Sequence, residues 1–353
     1  MRLKLRFTSP DRVTSLDLNT MNLSSNLVLK LFRSVSISLA VLGLLVIGGG
    51  CNRERRTTIA VVPKASADIF WQSVHAGAVK ASWDNQVDLI WEGPPNETDI
   101  ATEMQIVETM INRRVDAICL APSDRSAFKI VVDRAAQAGI PVIIYDSGID
   151  TDNYRTFVAT DNYLGGKMGA ERLGQRMNGK GKIVMVKTVP GGASTTARED
   201  GFRDGLKAKF PAIEILDERY GMASIAQSLT VTENMLTAHP DLEGIFCSNE
   251  SGSVGASQAL KARGKKLKLV GFDSSPTLIE AMEAGWINSL VIQDPFKMGE
   301  TAVSVAVKAI RGGETPKKIA LPPRLVDLGN LHDPAIDAQL HPDLRKYLNA
   351  AGY

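Results

Sequence analysis

The sequence predicts an α/β protein built from two doubly wound parallel-sheet lobes. From Thr57 onward, short continuous apolar runs alternate with stretches of about 12–20 residues whose apolar positions fall at helical spacing. The runs are unbroken rather than alternating, which marks strands covered by helices on both faces. Ten such runs exceed what one small sheet needs, and 353 residues suit two domains in series.

The strands are expected at Ile59–Val62, Val87–Trp91, Ala117–Leu120, Val142–Tyr145, Phe157–Ala159, Ile183–Val186, Ile213–Leu216, Ile245–Cys247, Leu267–Gly271 and Ser289–Ile292. Glu103–Ile111 shows the intervening helical pattern. Helix starts carry caps or first-turn signals: Thr98 before Asp99, Ser123-Asp124 before a helix over 126–138, and Ser275-Pro276. The break between lobes is expected near Asp161-Asn162.

The first 50 residues hold six basic and two acidic side chains, so the rest carries 35 basic against 37 acidic. That balance does not suit a dedicated nucleic-acid binder. Lys30 and Arg33 precede the apolar run Val35–Gly50 and then Cys51. A basic segment, a short apolar segment and small residues make an export signal over 1–50, with Met21 as an alternative start. The run is short for a membrane span, which needs about 20 apolar residues. Small residues directly before a cysteine resemble the bacterial lipoprotein box, which implies acylation of Cys51. Gly48 departs from that pattern. Residues 51–56 then read as a charged tether. The other two cysteines, Cys119 and Cys247, lie in apolar runs and are expected as buried, unreactive thiols.

In open parallel sheets, ligands bind beyond the carboxyl ends of the strands. Those ends lead to Lys64 and a loop reaching Phe70-Trp71, to Asp146-Ser147, to Arg198 on the next helix, and to Ser248-Asn249-Glu250, Phe272-Asp273 and Gln293-Asp294. Carboxylates accept hydroxyl protons, Arg and amides donate, and aromatic faces cover C–H faces, a set that suits a neutral polyhydroxylated ligand. Each residue also has a plain structural reading. Phe70 and Trp71 could be core, although adjacent aromatics cannot share one helical stripe, so at least one should face a cleft. Asp146 could form a turn, Arg198 could be a solvated helix residue, and Asp273 could cap the helix near Pro276.

Phe70-Trp71, Ala138–Val142, Thr160–Asn162 with Gly165-Gly166, Ala197–Glu199 with Gly201-Phe202, Thr237–Asp241 and Val270–Asp273 stand in an order and spacing that resembles the periplasmic sugar-binding proteins of ABC importers. The likeness is to their ribose- and galactose-binding branch, which shares its fold with the ligand domains of lac-repressor-type regulators, and it covers about Thr57 to Asn330. It implies a type I periplasmic binding protein fold. One lobe would comprise 57–161 plus 294–322 and the other 162–293 plus 323–330. A three-segment hinge would lie near Asp161-Asn162, Gln293-Asp294 and Pro322-Pro323, and 331–353 would form a tail along the hinge side.

The resemblance implies sugar contacts from Phe70, Trp71, Asp146, Arg198, Asn249, Asp273 and Gln293. Lys64, Asp68 and Ser147 join them as departures: Lys64 and Asp68 stand where ribose binders have small or amide residues, and Ser147 where they have Arg. Lys64 and Asp68 are expected near the pocket entrance. Ala223 falls where ribose binders have an aromatic. Implied partners are a monosaccharide or polyol and a membrane ABC permease. The protein is expected as a monomer without cofactor, metal or nucleic acid, lipid-anchored in the periplasm or at the cell surface. The alternative is a subunit reporting a sugar to a chemoreceptor or sensor kinase.

Enzyme readings find little support. No G-x-G-x-x-G follows the first strand, Gly179–Lys182 lacks phosphate-loop spacing, and no G-x-S-x-G elbow occurs. A sugar hydrolase would need an acid/base pair such as Asp146 and Asp273 could mimic. A repressor would need a DNA-binding helical module where the apolar run 35–50 stands. Pro190–Ser194 could hold an anion or simply turn the chain.

Overall fold

The computed structural model describes residues 55–349; the expected export signal and Cys51 lie outside the described residues. Twelve strands form two sheets of six. The first contains β1 (Thr58–Val62), β2 (Asp88–Trp91), β3 (Ala117–Leu120), β4 (Val142–Tyr145), β5 (Thr156–Thr160) and β11 (Lys318–Leu321), in the order β2-β1-β3-β4-β5-β11. The second contains β6 (Lys180–Lys187), β7 (Ala212–Tyr220), β8 (Gly244–Cys247), β9 (Lys268–Phe272), β10 (Ser289–Ile292) and β12 (Arg324–Val326), in the order β7-β6-β8-β9-β10-β12. Apart from the last strand, the two orders are the same arrangement repeated. β11 joins its sheet parallel to β5, whereas β12 runs antiparallel to β10.

Continuous apolar runs produce these sheets because both faces are covered. In β1, Ile59 and Val61 enter one core while Ala60 and Val62 enter another. In β6, Val184 and Val186 face one core and Ile183 and Met185 the opposite one. The period-two alternation of a strand thus distributes one apolar run over two layers.

Eleven helices are described: α1 (Ile69–Asn85), α2 (Ile100–Asn112), α3 (Lys129–Gln137), α4 (Asn162–Arg176), α5 (Ala193–Lys209), α6 (Ile225–Ala238), α7 (Glu250–Arg263), α8 (Pro276–Glu283), α9 (Pro295–Ile310), α10 (Pro334–Leu340) and α11 (Leu344–Leu348). The cap of α2 is Asp99, not Thr98: its carboxylate accepts from the Thr102 amide. Asp124 accepts from the Ser126 and Ala127 amides and closes a turn, so α3 begins only at Lys129. Ser275 sits at the cap position of α8 without a side-chain hydrogen bond, and Pro276 supplies the first turn.

The chain passes between the sheets three times. After β5 it enters α4, whose start is capped by Asp161 accepting from the Leu164 amide at 3.0 Å. After β10 it returns through α9, which packs on the first sheet through Met298, Ala302 and Val303. Asp294 caps α9 from the Lys297 amide at 2.9 Å, with Pro295 in the first turn. The third passage runs from β11 to β12 over Pro322-Pro323. Asp161 and Asp294 occupy corresponding places after the fifth strand of each lobe, so the same capping chemistry fixes the chain direction twice.

Helices α4 and α5 pack very closely. A Cβ on Gly166 would lie 2.0 Å from the Arg198 carbonyl oxygen, and one on Gly201 would lie 2.1 Å from that of Tyr163. No other residue fits either place without moving the backbone of the facing helix, and this contact seats the turn that carries Arg198.

The C-terminal segment is divided between the lobes. In α10, Ile336 enters the second lobe's core, with Leu340 packed against it. In α11, Tyr347 meets Trp83 of α1 and Phe296 of α9. Between them, Gln339 donates to the Gln293 carbonyl at 2.6 Å, beside the second passage.

Glu103 on α2 is fully buried. One of its oxygens accepts from Ser123, and the other has no hydrogen-bond partner among the described residues. Burial pushes its carboxyl from the ordinary 4.5 up to about 8. The folded state therefore holds this proton more tightly than the unfolded chain. The group's contribution to stability is intact below about 4.5 and declines as pH rises through 8. Glu103→Gln keeps the shape and removes the titration. Thermal melts between pH 5 and pH 9 should show a flatter decline for the variant than for the parent, and identical slopes would refute this account.

Candidate functional site

A cavity lies between the carboxyl ends of the two sheets. Its walls include Lys64, Asp68, Phe70, Trp71, Glu97 and Asp146 from the first lobe, and Thr188, Arg198, Asn249, Glu250, Asp273 and Gln293 from the second half of the chain. Nine of the ten residues expected from the sequence line it. The exception is Ser147, which lies behind the wall and is fully buried.

Two aspartates sit at equivalent points. Asp146 follows β4 and Asp273 follows β9, the fourth strand of each lobe. Both adopt left-handed backbone, with φ of 60° and 70°. Asp tolerates this region better than most residues because its short polar side chain can bond locally. Each amide still completes the sheet: Asp146 N–H donates to Val158 at 2.9 Å and Asp273 N–H to Val291 at 2.8 Å. The turn lets the strand end while the carboxylate points into the cavity.

Each aspartate has a cation beside it. Lys64 Nζ lies 2.7 Å from Asp146 Oδ2, and both side chains are about 5% exposed. The same ammonium donates to Ser147 Oγ at 3.0 Å and to Ser194 Oγ at 3.2 Å, so its three protons have three acceptors. Lys64 is therefore not an entrance residue; it is buried and pairs with Asp146, not Asp68. Ser194 stands at the start of α5, in the second lobe, and its amide donates to Ser147 Oγ at 3.0 Å. The Pro190–Ser194 turn thus joins the lobes, and the Arg125 amide adds a bond to the Gly191 carbonyl at 3.2 Å.

Arg198 Nη1 lies 3.7 Å from Asp273 Oδ2. Its Nε donates to Asn162 Oδ1 at 2.8 Å, Nη1 donates to the Ser248 carbonyl at 2.9 Å, and the guanidinium stacks 4.0 Å from the Phe272 ring centroid. Being 2% exposed, it is not a solvated helix residue. Asp273 also accepts from Gln293 Nε2 at 2.6 Å and from the Glu250 amide at 3.0 Å. It therefore bonds the start of α7, not that of α8. Burial pushes its carboxyl above the ordinary range, opposed by Arg198 and Gln293.

Both Phe70 and Trp71 line the cavity, meeting edge to face at 4.9 Å. Trp71 also packs in the first lobe's core and donates from Nε1 to Glu97 Oε1 at 3.1 Å. An indole is long enough to serve a core and a cleft at once, so the two adjacent aromatics do not divide those roles between them. Asn249 caps α7, accepting from the Gly252 amide at 3.0 Å, and still reaches the wall.

Glu97, Thr188, Thr195 and Ile225 also line the cavity beyond the residues expected there, and Glu250, placed at a strand end by the sequence but given no ligand role, joins them. Glu97 lies in a loop beyond β2 with no pattern to mark it. Among the described residues, no group of His, Cys, Asp and Glu has the arrangement of a metal site, and no helix is long and apolar enough to cross a membrane. Cys119 and Cys247 are free and buried, and burial pushes both thiols up.

Comparison with known proteins agrees with this architecture. The ribose import binding protein RbsB of Bacillus subtilis (strain 168) is 28% identical over 274 residues, spanning 78% of this chain and 88% of that protein. The protein of the same name from Escherichia coli (strain K12) is also 28% identical, covering 78% and 92%. Among solved structures, a carbohydrate transporter solute-binding protein from Agrobacterium radiobacter, in complex with D-arabinose, superposes with a TM-score of 0.80 at 30% identity, covering 82% of this chain and all of that one. An ABC transporter solute-binding protein from Agrobacterium vitis with bound D-fucose gives 0.78 at 34% identity, covering 80% and 100%. The family model for the periplasmic binding protein domain matches residues 59–314, and the chain, with its twin sheets and cleft between strand ends, belongs to that family of binding proteins.

Proposed function

We propose that this protein is the solute-binding subunit of an ABC importer, capturing a monosaccharide or related polyol between two lobes that close on it in the periplasm. The observation that carries the reading is the pair of equivalent left-handed aspartates, one from each lobe, converging on a cavity flanked by two aromatics. Carboxylates accept hydroxyl protons, and Phe70 and Trp71 offer apolar faces to ring C–H groups. The similar proteins, a ribose import binding protein and solute-binding proteins in complex with D-arabinose and D-fucose, support the same class of ligand.

Closure follows from where the contacts arise. Lys64, Phe70 and Asp146 belong to one lobe and Arg198, Asn249 and Asp273 to the other, so a ligand touching both favours the closed form by its differential affinity. The lobes are taken as 57–161 plus 294–322 and 162–293 plus 323–330, turning about the three passages. Acylation of Cys51 would hold the domain at the membrane beside its permease.

A thermal-shift screen over pentoses, hexoses and cyclitols should find a stabilising ligand, because a ligand that binds only the folded state raises stability by mass action. Small-angle scattering should then show compaction on adding that ligand; unchanged dimensions at saturation would count against closure.

The two aspartates should respond differently. Charge-assisted hydrogen bonds contribute about 1.5–3 kcal/mol each, so Asp146→Asn and Asp273→Asn should weaken binding roughly ten- to a hundredfold. Asp146→Ala should in addition lower thermal stability, by up to about 3–5 kcal/mol, because it leaves the buried Lys64 without its carboxylate. Calorimetry and melting curves read both effects, and undiminished affinity in both Asn variants would remove the aspartates from the site.

Cys51→Ser should release the protein from membranes into the soluble exported fraction and abolish incorporation of labelled fatty acid. Retention of the label by the variant would exclude Cys51 as the anchor.

A further inference from the structure

The cavity wall carries five carboxylates, Asp68, Glu97, Asp146, Glu250 and Asp273, against two cations, Lys64 and Arg198. The cations are already engaged. Lys64 uses its three protons on Asp146, Ser147 and Ser194, and Arg198 is held by Asn162, Ser248 and Phe272 beside Asp273. Two carboxylates are thus paired within the protein; Asp68 and Glu250 form no ion pair among the described residues, and Glu97 feels the charge of Lys64 without forming one.

Acceptors rather than donors stand open. Gln293 is 3% exposed and lines the cavity; its Nε2 is spent on Asp273, and its Oε1 has no hydrogen-bond partner among the described residues. Glu250 Oε2 is buried without a well-aligned hydrogen bond, although the Ser275 hydroxyl and the Phe70 amide lie near enough to favour its charged form. A buried acceptor left without a donor is costly, so the natural occupant is a molecule that donates to it. A hydroxyl can satisfy one such acceptor, whereas an organic cation satisfies acceptors and charge together.

Building on the polyol-binding reading, we propose that the preferred ligand is an amino-substituted sugar or cyclitol whose ammonium is held between Asp68 of the first lobe and Glu250 of the second. An ammonium presents three donors and a full positive charge, matching unspent acceptors in a way that a hydroxyl, with one donor, does not. Asp68 precedes α1 and Glu250 opens α7, so the cation would lie at the line where the lobes meet and would screen two carboxylates brought together by closure. Burial first, then Asp273 and Asp68, push the Glu250 carboxyl up to about 8. A bound ammonium favours its ionised form, with release of that proton; a neutral sugar does not.

The test is calorimetry on the full exported domain with matched pairs that differ only in charge at one substituent: D-glucosamine against D-glucose, D-galactosamine against D-galactose, and aminodeoxyinositols against the corresponding inositols, with N-acetylated forms as uncharged controls. The amine should bind more tightly than its neutral partner in at least one pair, by roughly ten- to a hundredfold. Glu250→Gln and, independently, the exposed Asp68→Asn should each shrink that ratio by about tenfold. If the neutral member binds as well as or better than the amine in every pair that binds, the ammonium site is refuted and the polyol-binding reading stands. If the amine preference persists undiminished in both variants, its assignment to Asp68 and Glu250 fails. If no member of any pair, charged or neutral, binds the folded protein, the ammonium site fails, and the polyol-binding reading is decided by the wider screen of pentoses, hexoses and cyclitols.

Discussion

The buried ammonium of Lys64 is the constraint around which the site is organised. A charge taken out of water is tolerable only when it is paired and its hydrogen bonds are complete. Here Asp146 supplies the charge, and Ser147 and Ser194 supply the remaining acceptors. Because Ser194 belongs to the second lobe, completing the solvation of one lysine also brings the two lobes into register. The same pairing neutralises Asp146, so that it contributes geometry and acceptor capacity to the cavity at little cost in net charge. Electrostatics, lobe contact and ligand surface are in this way one arrangement.

On the opposite wall the arrangement is repeated with different residues. Asp273 occupies the place of Asp146, in the same unusual backbone region, and Arg198 takes the part of Lys64. The supports differ: Lys64 follows a strand directly, whereas Arg198 stands on a helix seated by the contact at Gly166. A rigid guanidinium fixed from three directions is a more defined wall than a flexible lysine, and it faces an aspartate at 3.7 Å rather than in direct contact. Asp273 is in turn held by Gln293 and the Glu250 amide, so its carboxylate is fixed by a network where that of Asp146 is fixed by one ion pair.

Much of this was legible in the sequence because parallel sheets write themselves as uninterrupted apolar runs. All ten runs became strands, and the residues at their carboxyl ends became the cavity wall. The two strands that went unread, β11 and β12, lie at sheet edges, are short and partly exposed, and are separated by Pro322-Pro323, so they lack the buried run that betrays the others. Ser147 was placed at the right strand end but serves as a support behind Lys64, because adjacent residues at a tight turn point different ways. Glu97 was illegible: it lies in a loop, and only the Trp71 indole across the fold gives it a place. Gly166 and Gly201, read as family landmarks, turn out to be helix-packing positions and lie outside the cavity wall.

The C-terminal segment extends past the region matched by the family model, and its position has a mechanical meaning. It holds the second lobe through Ile336, the passage at Gln293 through Gln339, and the first lobe through Tyr347 against Trp83 and Phe296. Points near an axis of rotation travel little when two bodies turn, while points far from it sweep wide arcs. The cleft rim is the far point and the passages are the near one. With the closure proposed above, the segment would work as a bearing rather than a latch: it would resist twist and sliding between the lobes, which would misalign Asp146 and Asp273, while leaving the swing that opens the cleft almost free.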